Sequence, residues 1–320
     1  MSLVSNPQCI RLALLGMVEE NGHPFSWSAI INGRFDGDII RDAGYPMITD
    51  YLGAQPPSAL GLPGAEVTHI WCDRAEDARA VARSAGITHC VDDPRDVIGQ
   101  VDAVIIPTDK GEEHLERARP FIEAGLPVFI DKPLTIRADH LKQFIAWHNA
   151  GKPIFSCSAM RYAREFIDLW QRLEEVGQPR LIFATCAKSW ERYGIHALEA
   201  VYGLLPPGRW RDVCNTGSPH ANIVHIRREQ PVDILIAVID DMLGGFCHVT
   251  VYGTKGRIDA RFTDSFTAFK AQLQAFIDYL RGSDDTSNLV TTVEQMKIVI
   301  AGIRSREDSG RRYALDSVIQ

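Results

Sequence analysis

Val128-Phe129-Ile130-Asp131-Lys132-Pro133-Leu134-Thr135 runs three apolar residues straight into a carboxylate, an ammonium and a proline. The apolar triplet reads as the end of a buried strand. Proline fixes its own φ and pushes Lys132 towards an extended backbone, so the lysine side chain rises from a stiff support. The Lys132–Pro133 bond is a candidate cis bond, as X–Pro bonds in tight turns sometimes are. The carboxyl end of a strand is where open α/β sheets bind ligands. A lysine there is a candidate for chemistry rather than for solubility.

Strand and helix signals alternate on both sides of this stretch. Ile10–Leu15, Val67–Cys72, Thr88–Val91, 103–106, Pro127–Ile130 and Pro153–Cys157 read as strands. Between them, Ala75–Ala85, Glu112–Ala124 and Arg137–Asn149 read as helices, the first two stopping at Gly86 and Gly125. Such alternation predicts a parallel sheet with right-handed crossovers. From Gly33 to Gly64, six Gly and four Pro interrupt the rhythm, which predicts a long loop. That loop lies by the ligand edge if it extends the glycine turn, and at the opposite edge if it follows the first helix.

The second half differs. Leu181–Ala184, Ala221–Ile226, Ile234–Ile239, Phe246–Tyr252 and Arg257–Phe262 read as strands joined by short turns, which predicts an antiparallel sheet. Helices at Ala163–Val176, His196–Leu205, Phe266–Leu280 and Thr292–Ser305 would cover it. The expected division is a dinucleotide-binding domain over 1–157 and an α+β substrate and oligomerisation domain over 158–320.

Composition narrows the class. A chain of 320 residues, 45% hydrophobic and 23% charged, suits two globular domains. A net charge of −7 argues against nucleic acid or an anionic membrane as partner. Seven scattered cysteines without a Cys-x-x-Cys pair give neither a disulfide framework nor a zinc site, and no metal is expected. A reducing cytoplasm fits this cysteine usage best and is the expected location, with neither a signal pattern nor a span of ~20 apolar residues read in the sequence.

Four constellations point to chemistry. After the first strand comes Gly16-Met17-Val18-Glu19-Glu20-Asn21-Gly22-His23, a degenerate version of the Gly-x-Gly-x-x-Gly turn that brings backbone amides to a pyrophosphate. Val18 replaces the second glycine and Gly22 arrives one residue late. Asp73 ends the second strand, where an acid accepts from the adenosine ribose and favours NAD. Arg74 beside it suits a 2′-phosphate, and an N-cap at Asp73 is compatible with both. Pro107-Thr108 ends the fourth strand, with His114 six residues on. Finally, Tyr193-Gly194-Ile195-His196 puts a flexible glycine before a histidine suited to acid–base work, with Glu199 on the same helical face to orient it.

Together these segments, with Met160-Arg161-Tyr162, resemble the glucose–fructose oxidoreductase / inositol dehydrogenase / rhizopine catabolism (Gfo/Idh/MocA) family over essentially the whole chain. Asp131-Lys132-Pro133 stands where the family has Glu-Lys-Pro, and Gly194-Ile195-His196 with Glu199 resembles its Gly-x-His-x-x-Asp segment. The resemblance implies a Rossmann domain followed by an open, mostly antiparallel sheet domain. It implies hydride exchange between NAD or NADP, with NAD favoured by Asp73, and a sugar, cyclitol or related polyol or its keto form.

On this sequence, cofactor contacts would come from Gly16, Met17, Gly22, His23, Asp73, Arg74, Pro107, Thr108, Asp131 and Lys132. Lys132 and His196 would be catalytic, and Arg161, Arg192 and Tyr193 would bind substrate. Arg192 stands where many members carry an acid, which points to an anionic or carboxylate-bearing sugar. A homodimer or homotetramer is expected. Two other classes share these residues: a binding or regulatory protein that lost turnover at the altered glycine turn, and a lyase or glycosidase using NAD transiently.

Overall fold

The computed structural model describes residues 2–205, 208–283 and 286–319. Two compact units make up the chain. The first comprises Met1–Asp131, Ala146–Ser156 and Phe269–Leu289; the second comprises Lys132–Ile145, Cys157–Ala268 and Val290–Gln320. Beyond the division expected at 157, residues 132–145 therefore group with the second unit and 269–289 with the first.

The first unit contains β1 (Ile10–Leu15), α1 (His23–Asn32), α2 (Gly37–Asp42), α3 (Pro46–Gly53), β2 (Ala65–Trp71), α4 (Ala75–Ala85), β3 (His89–Cys90), β4 (Ala103–Ile106), α5 (His114–Glu123) and β5 (Val128–Ile130). Helix α6 (Ala138–Asn149) then leads to β6 (Ile154–Phe155). The sheet order is β3-β2-β1-β4-β5-β6 and every pair is parallel. This is the doubly wound Rossmann order, with its switch point between β1 and β4. Every residue of β4 and β5 is buried, as strands covered on both faces require. The carboxyl ends at the switch point are Gly16 and Pro107-Thr108.

The Gly33–Gly64 segment is not the loop that its composition predicts. It follows α1 and folds into α2 and α3, with a further 3₁₀ turn at Pro57–Ala59. That order predicts the edge opposite the ligand, yet the turn between α2 and α3 comes back to the glycine turn, where Tyr45 and Ile48 stand against Gly22. Its glycines and prolines serve as punctuation: Gly33 closes α1 at φ 75°, and Pro46 opens α3.

The second unit holds α7 (Arg164–Gln171), β7 (Pro179–Ala187), α8 (Trp190–Tyr202), β8 (Trp210–Asn215), β9 (Ala221–Arg228), β10 (Asp233–Ile239), β11 (His248–Gly253) and β12 (Arg257–Arg261). Two helices, α9 (Ser265–Leu280) and α10 (Thr286–Glu307), are followed by β13 (Tyr313–Ala314). The seven strands run β12-β11-β7-β10-β9-β8-β13. All neighbours are antiparallel except the central β7–β10 pair. Residues of β7 alternate, with Ile182, Ala184 and Cys186 buried and Phe183 on the open face.

Most of α9 belongs to the first unit for a packing reason. Phe276 meets Phe129 and Phe155 at ring separations of 5.3 and 5.5 Å, and Tyr279 meets Phe155 at 5.7 Å. Strand β8 gives little sequence signal because its polar residues are paired. Asp212 accepts from Arg227 and Arg312, each at 2.7 Å at its nearest. Helix α8 starts six residues before the expected His196. Ser189 caps it by accepting the Arg192 N–H, and Gly194 lies inside the helix rather than acting as a hinge before it.

Candidate functional site

In the first unit, the residues expected to hold a cofactor gather at the carboxyl edge of the sheet. Gly16 adopts φ 111°, a conformation that disfavours side chains, and a Cβ there would stand 2.8 Å from Thr108 Cγ2. Thr108 is thus seated directly under the glycine turn, held by His114, whose Nε2 lies 2.9 Å from the Thr108 carbonyl and 3.1 Å from its hydroxyl. His114 is fully buried and serves as this loop's brace.

Asn21 organises the rest of the turn. Its amide donates to the Pro107 carbonyl at 3.0 Å, and its Oδ1 accepts the His23 N–H at 2.9 Å. That bond takes one of the amides at the start of α1, and Pro24 has none to offer. A pyrophosphate therefore finds fewer donors here than the full fingerprint supplies. Gly22 is accounted for by packing: a Cβ would stand 2.4 Å from Ile48 and 2.7 Å from the Tyr45 ring, both from the inserted segment.

Asp73 lies two residues beyond β2 and accepts the Met17 N–H at 3.3 Å. Arg117 of α5 also grips it, at 2.7 and 3.2 Å, and bonds Glu113 as well. Burial alone would lower the Arg117 pKa; the two carboxylates outweigh it and raise the guanidinium above its ordinary value. Arg74 is exposed and pairs with Glu76 and, more loosely, with Asp77. Met17, Val18, Glu19, Glu20, Ala43, Tyr45, Asp73, Arg74 and Asp77 line a cavity of about 580 Å³. An acid at the ribose position beside a cavity of this size fits the adenosine half of a dinucleotide.

Further along the edge, Asp131 is buried and lies 2.7 Å from His23 Nδ1. The His23 ring stacks on Trp27 at 4.7 Å, and Trp27 on Phe129 at 5.2 Å, which ties the glycine turn to β5.

The second unit gathers the residues expected to act on substrate. The Lys132–Pro133 bond is cis. Lys132 is buried, and its Nζ lies 4.4 Å above the Tyr193 ring. Lys188, which the sequence reading missed, approaches the same ring at 4.8 Å and donates to the Tyr193 hydroxyl at 3.0 Å. It stands just before the α8 cap at φ 64°, and no motif marks it.

His196 is buried beside Tyr193 and Phe246, with ring separations of 5.1 and 5.8 Å. Its Nδ1 bonds Ser158 Oγ at 2.6 Å. Ser158 Oγ also accepts the Met160 N–H, leaving one hydroxyl proton and one lone pair for the imidazole. The hydroxyl can therefore support either protonation state of His196 by rotating. Glu199, expected to orient the histidine, is instead bound bidentately by Arg161 at 2.7 and 2.8 Å and accepts the Ser158 N–H at 3.3 Å. The i,i+3 spacing puts it on the right helical face, but a buried carboxylate takes the strongest available donor, a guanidinium fork. Arg161 is correspondingly committed to Glu199; burial pulls its pKa down and Glu199 more than compensates, leaving it raised. Arg192 sits half-buried in the first turn of α8.

Known proteins share this architecture. A probable dehydrogenase from Thermotoga maritima aligns over 97% of this chain and 100% of its own, with a TM-score of 0.73 at 18% identity. A scyllo-inositol dehydrogenase from Lactobacillus casei, solved with bound NAD(H) and scyllo-inositol, aligns over 97% and 100%, with a TM-score of 0.71 at 14% identity. Residues 50–155 match the Gfo/Idh/MocA family, described as an oxidoreductase family with an NAD-binding Rossmann fold. The match covers the NAD-binding part of the chain and stops at residue 155. Among curated relatives, inositol 2-dehydrogenase 1 of Saccharopolyspora erythraea is 31% identical over 145 residues, a stretch spanning 42% of each protein. The family match starts at residue 50, beyond both the altered glycine turn and most of the inserted segment.

Proposed function

We propose that this protein is an NAD-linked oxidoreductase that exchanges a hydride with a CH–OH carbon of a cyclitol, sugar or related polyol, or with its keto form. The observation that carries the reading is the second unit's cluster: a buried lysine and a buried histidine in contact with one tyrosine ring. Polyol oxidation needs a proton acceptor at the hydroxyl and a cation at the oxygen as negative charge develops there. Lys132 supplies the cation, with Lys188 adding to the positive field over Tyr193. His196 exchanges the proton through Nε2, its Nδ1 held by Ser158. Arg161 and Glu199 fix the Ser158 backbone, while Tyr193 and Arg192 present polar groups to the substrate. Arg192 suits a substrate bearing a carboxylate.

When bound, the nicotinamide supplies the hydride acceptor or donor. Gly16, Met17, Thr108 and Asp73 would hold the dinucleotide from the first unit, with Asp73 taking the ribose hydroxyls in exchange for part of its bond to Arg117. His23 and Asp131 would set the floor of that edge. We assign the protein to the cytoplasm and propose that it forms a homodimer or homotetramer through the open face of its second sheet. Phe183, Ile223 and Tyr252 share that face and are 37%, 43% and 39% exposed.

Titration with NADH and NADPH by calorimetry tests the cofactor assignment. The expected result is tighter binding of NADH, and a Asp73→Ala variant that weakens NADH more than NADPH. Unchanged NADH affinity in that variant would place the ribose elsewhere.

A further inference from the structure

The segment between α1 and β2 is built into the molecule. The Asp36 N–H donates to the Ser84 carbonyl at 3.0 Å, the Gly61 N–H to the Ile30 carbonyl at 2.9 Å, and the Tyr51 hydroxyl bonds Ser26. Asp36 caps α2, accepting from the Asp38 and Ile39 amides. The turn that joins α2 to α3, Ala43-Gly44-Tyr45, is thereby presented to the glycine turn. The Tyr45 ring lies on Gly22 and 5.8 Å from the Phe25 ring, and Tyr45 with Ala43 forms part of the wall of the 580 Å³ cavity. Tyr45 is half-buried, and among the described residues its hydroxyl has no hydrogen-bond partner.

We infer that the inserted α2–α3 segment completes the adenosine half of the cofactor site, with Tyr45 as the aromatic wall against which the adenosine packs. This rests on the dinucleotide reading given above and adds a residue to it. Gly22, at the place of the fingerprint's third glycine, where a missing side chain ordinarily serves close helix–strand packing, makes room here for Tyr45. The start of α1 offers fewer amides to phosphate, since Asn21 takes one and Pro24 lacks one. An aromatic wall restores contact on the neutral adenosine, where a π-face binds any base. Burial, and then the charges of Asp77, Glu19 and Glu20, push the Tyr45 hydroxyl above its ordinary pKa, so it stays a neutral donor at physiological pH. The same carboxylates oppose a 2′-phosphate.

The test is calorimetric titration of wild type, Tyr45→Phe, Tyr45→Ala and Ala43→Arg with NADH, NADPH, AMP and nicotinamide mononucleotide. Tyr45→Ala should weaken NADH and AMP by about 5- to 150-fold, the range for removing an aromatic platform from a base, and leave nicotinamide mononucleotide unchanged. Tyr45→Phe should keep AMP within about threefold, because the ring is retained. Ala43→Arg, at an exposed position that tolerates a long side chain, should narrow the preference for NADH over NADPH by about fivefold or more through its added positive charge. Equal AMP affinity in wild type and Tyr45→Ala, with NADH still bound, would overturn the role of Tyr45 and leave the cofactor reading standing. Wild type that binds none of the adenosine ligands would overturn both.

Discussion

Ser158 shows how one small side chain can matter to chemistry it does not perform. Its hydroxyl accepts the Met160 N–H and bonds His196 Nδ1 at 2.6 Å, so it holds that nitrogen and sets the orientation of the imidazole. Replacing it (Ser158→Ala) should lower kcat roughly tenfold, with KM changing less, and displace the limb of the kcat–pH profile that His196 governs. Ser158→Thr, which keeps the hydroxyl, should restore most of both. An unshifted pH profile in Ser158→Ala would reduce Ser158 to packing. Lys132 and His196 were legible in the sequence because their neighbours, a proline and a histidine-bearing helix, are recognisable by type. Ser158 and Lys188 were not, since each reaches the cluster through a bend in the chain rather than through spacing along one element.

Between elements, the Arg161–Glu199 pair joins the 3₁₀ turn Ala159–Tyr162 to α8. Both groups lie in a site that excludes most water, with side-chain exposures of 18% and 1%. Removing the charge with Glu199→Gln leaves a guanidinium without its counter-ion, which should cost about 3–5 kcal/mol in a chemical denaturation experiment. A loss within the ~1 kcal/mol usual for exposed pairs would show that water compensates the arginine. The strands of the first unit could be read because continuous apolar runs between helix-length segments admit few alternatives. The inserted segment was misread for the opposite reason: Gly and Pro mark both loops and the ends of short helices, and α2 and α3 are six and eight residues long. Strand β8 was missed because its charges are satisfied by arginines distant in sequence, Arg227 and Arg312.

For the whole molecule, the open face of the second sheet and the proposed catalytic cluster make separate predictions. Under the proposed assembly, like charges at Phe183 and Ile223 (Phe183→Glu with Ile223→Glu) should leave the protein monomeric in light scattering, because a charge on an apolar face cannot be buried against a partner without loss. An unaltered mass would move the interface elsewhere. Among the described residues no helix is long and apolar enough to cross a membrane. The roles of Lys132 and His196 are tested by steady-state NAD reduction by wild type, Lys132→Ala and His196→Ala over a panel of inositols, sugars and sugar acids. NADH affinity of each protein would be measured alongside. Turnover of at least one polyol is expected, with a fall in kcat of about 10²-fold or more in each variant and His196→Ala binding NADH within about threefold of wild type. Turnover at the wild-type rate in either variant would contradict that residue's role.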